Sequence, residues 1–140
     1  PNYVYPHFSG FEDELGSDYG EGYNVNYPLP EQITVERYQK TLARALKRVL
    51  DYKPEFLIVA LGLDTAKGDP TGSWPLQSGD FQRNGAMIGA LGLPTLVVQE
   101  GGYKTRTLGI NARHFFEGLW QGYQGKIGQG ALVAKRKPRP

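Results

Sequence analysis

A chain of 140 residues with 39% hydrophobic content is long enough for one domain with a real core, and too apolar to be disordered by composition. A net charge of +2 is too small for a general nucleic-acid binder, so nucleic acid is not an expected partner. No cysteine is present, which excludes disulfides and thiolate metal sites and is compatible with a cytoplasmic location, the compartment expected here.

The 19 glycines and 10 prolines suit an α/β fold with long loops better than a helical bundle. No run approaches membrane-spanning length, and the first residues do not form a signal peptide, so no membrane partner is expected. Pro1 to Tyr5 reads as the middle of a loop. Residues 1–22 hold no convincing helix and carry Tyr3, Tyr5, Phe8, Phe11 and Tyr19 among glycines and acids. Such a loop either lines a pocket or packs on the surface. Tyr23 to Leu29 alternates and predicts a short strand, ended by Pro28 and Pro30.

Thr34 to Asp51 predicts the clearest helix. Val35, Tyr38, Leu42, Ala45, Leu46 and Val49 fall on one stripe. Thr34 is the expected N-cap, Glu36 lies in the first turn, and Pro54 prevents continuation. Arg37, Lys40 and Arg44 read as a solvated face. Phe56 to Leu61 is a short aliphatic run with no 3.6-residue period, and predicts a buried parallel strand. Asp64 follows it. A carboxylate just past the C-terminal end of such a strand sits where open α/β sheets place their ligands, although an acid there also commonly caps a loop or pairs with a cation. Gly68, Asp69 and Pro70 then turn the chain.

Asp80 to Leu91 predicts a second helix, capped by Ser78 or Gly79 and ended by a left-handed Gly92. Pro94 to Gln99 predicts another buried strand, followed by Glu100, Gly101, Gly102 and Tyr103. Thr107 to Tyr123 predicts the third helix, with Leu108, Ala112, Phe115, Phe116 and Leu119 inward. A Gly-containing, then basic, tail closes the chain. Alternation of strands and helices implies a parallel sheet with right-handed crossovers. On that topology both later strands deliver their loops to one rim, so Asp64 and Tyr103 face a shared crevice.

The segments GLDTAKGDP and QEGGY, with YPHFSGFEDELG and GYNVNYPLP upstream, resemble the zinc-dependent histone deacetylase superfamily, and most of all the bacterial acetylpolyamine amidohydrolases. The resemblance runs from Pro1 to Gly125, in order and at sensible spacings. It implies a parallel-sheet αβα sandwich, a truncated arginase/deacetylase-like fold. Residues 1–125 would be the C-terminal portion of a deacetylase-like domain and residues 126–140 a basic Gly/Pro-containing tail. It also implies roles. Asp64 matches one of three protein ligands to catalytic zinc. Tyr103 matches the tyrosine that polarises the substrate carbonyl and stabilises the oxyanion. Gly101 and Gly102 match glycines that let substrate lie close to the backbone, and Phe8 resembles an aromatic wall of the substrate channel.

The family's domain is longer, and the resemblance lacks its paired general-base histidines and the Asp-x-His segment that supplies the other two zinc ligands. Only His7 and His114 are present, and His114 reads as a packing or surface residue of the third helix. One carboxylate without partnered histidines does not make a tetrahedral zinc site, so no zinc is expected on this chain alone. Three readings follow, the first preferred and the other two level. The first is a deacetylase-fold fragment that folds without catalysing, with Tyr103 a vestige. The second is one chain of a split amide hydrolase completed by an N-terminal partner. The third is a non-catalytic binding module, for which the basic tail Lys135 to Pro140 is the candidate contact. A homo-oligomer is expected, because a shortened sheet leaves an edge and an apolar face to cover.

Overall fold

A computed structural model describes residues 8–134, with side chains through Gly125. The expectations for His7, for the earliest aromatics and for the KRKPRP tail lie outside the described residues.

The first long helix, α1 (Val35–Tyr52), begins as expected. The Thr34 side chain accepts the Arg37 N–H at 3.2 Å, which satisfies one of the helix's free donors. Lys53 closes the helix in the left-handed region at φ 56°. Pro54 follows, and β1 (Leu57–Leu61) starts. Helix α2 (Ser78–Gly89) starts earlier than expected. Its cap is Gln77, not Ser78 or Gly79: Gln77 and Asp80 exchange side-chain and backbone hydrogen bonds in a capping box. Gly92, at φ +70°, then turns the chain as expected into β2 (Thr95–Gln99).

The two strands pair in parallel, Leu57 opposite Thr95 and Leu61 opposite Gln99. The ladder continues past both ends, with Leu57 N–H donating to Pro94 O and Leu63 N–H to Gly101 O, each at 2.9 Å. Alternate strand residues Leu57, Val59, Leu61 and Val97 join one core with Tyr38 and Leu46 of α1, Phe81 and Ile88 of α2, and Phe115 and Leu119 of the last helix. The intervening residues are bare: Ile58 is 70% exposed and Leu96 59%. Among the described residues, the helices thus cover one face of the sheet and leave the other apolar and open.

Two expectations need correction. Tyr23–Leu29 is not a strand; the sheet of the described residues has two strands. The prolines remove ladder donors, and Asn24 and Asn26 spend their amides on the preceding loop, donating to Glu14 and Phe11 carbonyls. Tyr27 lies under the Arg44 guanidinium, 5.4 Å from its ring centre, and fastens the segment to α1 instead of to a sheet. The last helix, α3 (Thr105–Ala134), runs well beyond Tyr123, so the backbone expected to begin the tail is helical.

Helices α2 and α3 pack closer than ordinary side chains allow. A Cβ built on Gly85 would overlap the Phe115 carbonyl, and one on Gly89 the Leu119 carbonyl. One on Gly118 would overlap the Gln82 carbonyl, and one on Gly122 the Ala86 carbonyl. The pairs rise together along both helices, so the two lie parallel, as crossovers between parallel strands require. No helix among the described residues is long and apolar enough to cross a membrane.

Candidate functional site

The site forms where β1 and β2 end. Because the strands are parallel and in register, both chains leave the sheet on the same rim. Beyond Leu61 the first loop carries Asp64; beyond Gln99 the second carries Gly101, Gly102 and Tyr103. The shared rim expected from the sequence is therefore present.

The Asp64 carboxylate is half-buried between two backbones that leave it room. A Cβ on Gly62 would stand 2.7 Å from its Oδ1, and one on Gly101 would overlap its Oδ2. Gly101 thus touches Asp64 directly. Gly102 serves a different purpose. Its φ is +132°, and a Cβ there would meet Leu108 Cδ1 at 2.8 Å and Leu63 Cβ at 2.9 Å. That backbone shape and that space both demand glycine. The result carries the chain over the buried Leu63 and delivers Tyr103, 56% exposed, to the rim.

Asp64 also faces helix α1. Burial raises the pKa of the Tyr38 phenol, and the negative charge of Asp64 raises it further. The Tyr38 ring meets Trp74 edge-on, with centroids 5.6 Å apart. Tyr38, which the helical stripe suggested as core, packs with Trp74 against the core and also feels the charge of Asp64.

Sequence reasoning missed the residue that ties the two loops together. Asp69 is buried, and both its oxygens are in use. Oδ1 accepts the Thr71 N–H at 2.9 Å and the Thr71 hydroxyl at 2.8 Å. Oδ2 accepts the backbone N–H of Tyr103 at 2.7 Å and of Lys104 at 2.9 Å. The Lys104 amine reaches back to the Lys67 carbonyl at 2.7 Å. Burial works to raise the Asp69 pKa, but the hydrogen bonds from Thr71, Tyr103 and Lys104 outweigh it and hold the carboxyl below its ordinary value. The sign follows: this carboxylate's contribution to stability is complete above the ordinary carboxylate pKa and is lost as pH falls through the lowered folded value. One signal was legible, since an Asp followed two residues later by a hydrogen-bonding Thr is a turn-forming pattern.

Phe8 is 80% exposed, at the start of a loop whose described hydrogen bonds run among Phe11, Glu14, Asn24 and Asn26. His114 lies within α3, away from the strand ends. Among the described residues, no group of three or more His, Cys, Asp or Glu is placed to hold a metal ion.

Comparison with known proteins adds the following. The histone deacetylase domain pattern matches residues 1–119. Acetylpolyamine amidohydrolase 2 of Pseudomonas aeruginosa is 43% identical over 119 residues, which make up 85% of this chain and 35% of the relative. Histone deacetylase 15 of Arabidopsis thaliana is 34% identical over 110 residues, 74% of this chain and 19% of the relative. The crystal structure of an acetylpolyamine aminohydrolase from Burkholderia pseudomallei superposes with a TM-score of 0.80 at 41% identity, covering 82% of this chain and 34% of that one. The chain thus spans about a third of the length of the amidohydrolases it matches.

Proposed function

The chain belongs to the histone deacetylase family, and we propose that this stretch is the C-terminal part of a catalytic domain that hydrolyses acylated amines, without catalysing on its own. The observation that carries this reading is the junction at the strand ends. Asp64 is seated against Gly101, and Tyr103 is delivered to the same rim.

The family is zinc-dependent. A catalytic zinc takes three protein ligands and keeps one position for water. The described residues do not fit that need by themselves, because Asp64 offers one carboxylate. Asp64 is read as one donor of a set completed by the part of the domain that the relatives carry and this stretch does not match. Tyr103 needs no metal to be chemically apt. An exposed phenol on the rim can donate a hydrogen bond to an amide carbonyl oxygen as it gains charge, the interaction that most favours the transition state of acyl transfer. Acetylated polyamines are the preferred substrate class, on the similarity to the amidohydrolases; acetylated lysine is second, on the similarity to the plant deacetylase.

The open sheet face supports a companion reading, that the chain as it stands associates with a second copy of itself. A continuous apolar face, flanked by strand edges that no other described strand pairs, is costly to leave in water.

The test is a hydrolysis assay on the purified chain with an acetylated polyamine and an acetyl-lysine peptide, with and without zinc. No release of acetate above background is expected, since removing even one member of such a constellation costs orders of magnitude. Turnover that a chelator stops and Asp64→Ala abolishes would overturn the reading.

A further inference from the structure

We propose that Asp69 is a positioning residue for Tyr103: its buried carboxylate holds the backbone on which that phenol stands, and so sets where the phenol points. The inference rests on reading Tyr103 as a site residue, and goes beyond it by naming what places it.

Three features of the junction carry it. The first is the location of the bonds. Asp69 does not touch the Tyr103 ring; it accepts the N–H groups of Tyr103 and Lys104, at 2.7 and 2.9 Å, on a single oxygen. Those N–H groups come just before the first turn of α3, in a segment without regular structure. The second is the division of labour within the carboxylate. Oδ1 is spent on its own loop, through Thr71, and Oδ2 on the other loop. One side chain therefore fixes the Asp64 loop and the Tyr103 loop relative to each other. The third is the closure of the ring of contacts. Lys104 returns to the Lys67 carbonyl, and Leu63 N–H donates to Gly101 O, so the junction is bonded on both sides of Asp69. Hydrogen bonds to a charged acceptor inside a protein are the strong class, which is what a position-fixing contact needs.

The chemistry predicts a specific defect. Asparagine has the shape of aspartate but one acceptor oxygen. Asp69→Asn can keep that oxygen on Tyr103 and Lys104 and turn its NH2 to the Thr71 hydroxyl, whereas Asp69→Ala removes both oxygens and leaves the Thr71, Tyr103 and Lys104 donors without their acceptor. Thr71→Ala removes a contact to Oδ1 and leaves the Oδ2 pair intact.

The experiment uses the full chain, labelled for NMR. Hydrogen exchange of the Tyr103 and Lys104 amides is measured, and their shifts are followed through an acid titration beside the Asp69 carboxyl carbon. The Lys104 amine, bonded to the Lys67 carbonyl, is the charged group beside this junction, and Asp64→Asn serves as the control for the loop's other acid. In the native chain both amides should be protected and should move with one midpoint, that of Asp69, below the ordinary carboxylate range. Asp69→Ala should speed their exchange about tenfold or more and broaden or average the Tyr103 ring signals, while the Tyr38 ring on α1 stays unchanged. Thr71→Ala should keep both amides protected. Native amides that exchange as fast as unprotected loop amides, or that titrate independently of Asp69, would overturn the proposal. So would an Asp69→Ala chain in which both are unchanged. If Asp69→Ala does not fold, the native titration and Thr71→Ala still decide. None of these readouts involves hydrolysis, so their failure leaves the deacetylase reading standing, and failure of that reading leaves them unmoved.

Discussion

Gly118→Leu should unfold the chain, or come close to it. The reason is a contest between two effects on the same helix. Glycine inside a helix costs about 1 kcal/mol relative to alanine, so adding a side chain should help wherever there is room. At Gly118 there is none, because the first carbon would overlap the Gln82 carbonyl of α2. That obstacle is backbone and cannot swing aside, and leucine adds three carbons beyond it. Overpacking of this kind costs roughly 1–3 kcal/mol or more, against a total stability of about 5–15 kcal/mol for a domain. The α2–α3 pair also carries Phe81, Ile88 and Phe115, much of the buried core, so separating the helices opens that core to water. Gly109→Ala is the internal control. It lies on the same helix with nothing near its would-be Cβ, and should stabilise by about 0.5–1 kcal/mol. Urea unfolding of the three chains measures both signs. Equal stability of Gly118→Leu and the native chain would mean that the two helices do not touch as described.

At micromolar concentration the chain should elute and scatter light as a dimer or larger species, and Ile58→Lys with Leu96→Lys should return it to monomer. The two strands show Ile58, Leu96 and Val98 to solvent on the face that no described helix covers. A second apolar surface lies beside the start of β2, where Leu93, Pro94, Phe116, Leu119, Trp120 and Tyr123 line a cavity of about 370 Å³. Monomeric proteins seldom leave contiguous apolar patches beyond a few hundred Å² in water. A symmetric pair buries the same face twice, and a specific interface should bury at least about 1,000 Å² in total. Two lysines on the face would have to be desolvated in that pair, which should abolish it. A native chain that stays monomeric at these concentrations would remove the argument for self-association.

Much of the fold was legible because each element carries its own pattern. The stripe on α1, its Thr34 cap and the aliphatic runs of β1 and β2 required only local physics, and the parallel topology then placed Asp64 and Tyr103 on one rim. What failed to show depended on partners distant in sequence. YNVNYPL alternates like a strand, but its asparagines bond to Glu14 and Phe11, and no periodicity reports that. The Gly-containing sequence after Tyr123 read as tail, yet α3 runs on to Ala134, and Gly118 and Gly122 within it lie where α2 packs against them. Asp69 read as a turn residue because its turn is local. Its bonds to Tyr103 and Lys104 cross from one loop to the other and appear only once the strands are paired.

On the function proposed above, Asp64 is one metal-ligating carboxylate of a site completed by residues outside this stretch. Zinc content and affinity of the purified chain test that most directly, by elemental analysis after dialysis and by competition with a chromogenic chelator. The expected result is far less than one zinc per chain, and weak binding that Asp64→Ala barely changes. One tightly held zinc per chain, lost in Asp64→Ala, would contradict the account.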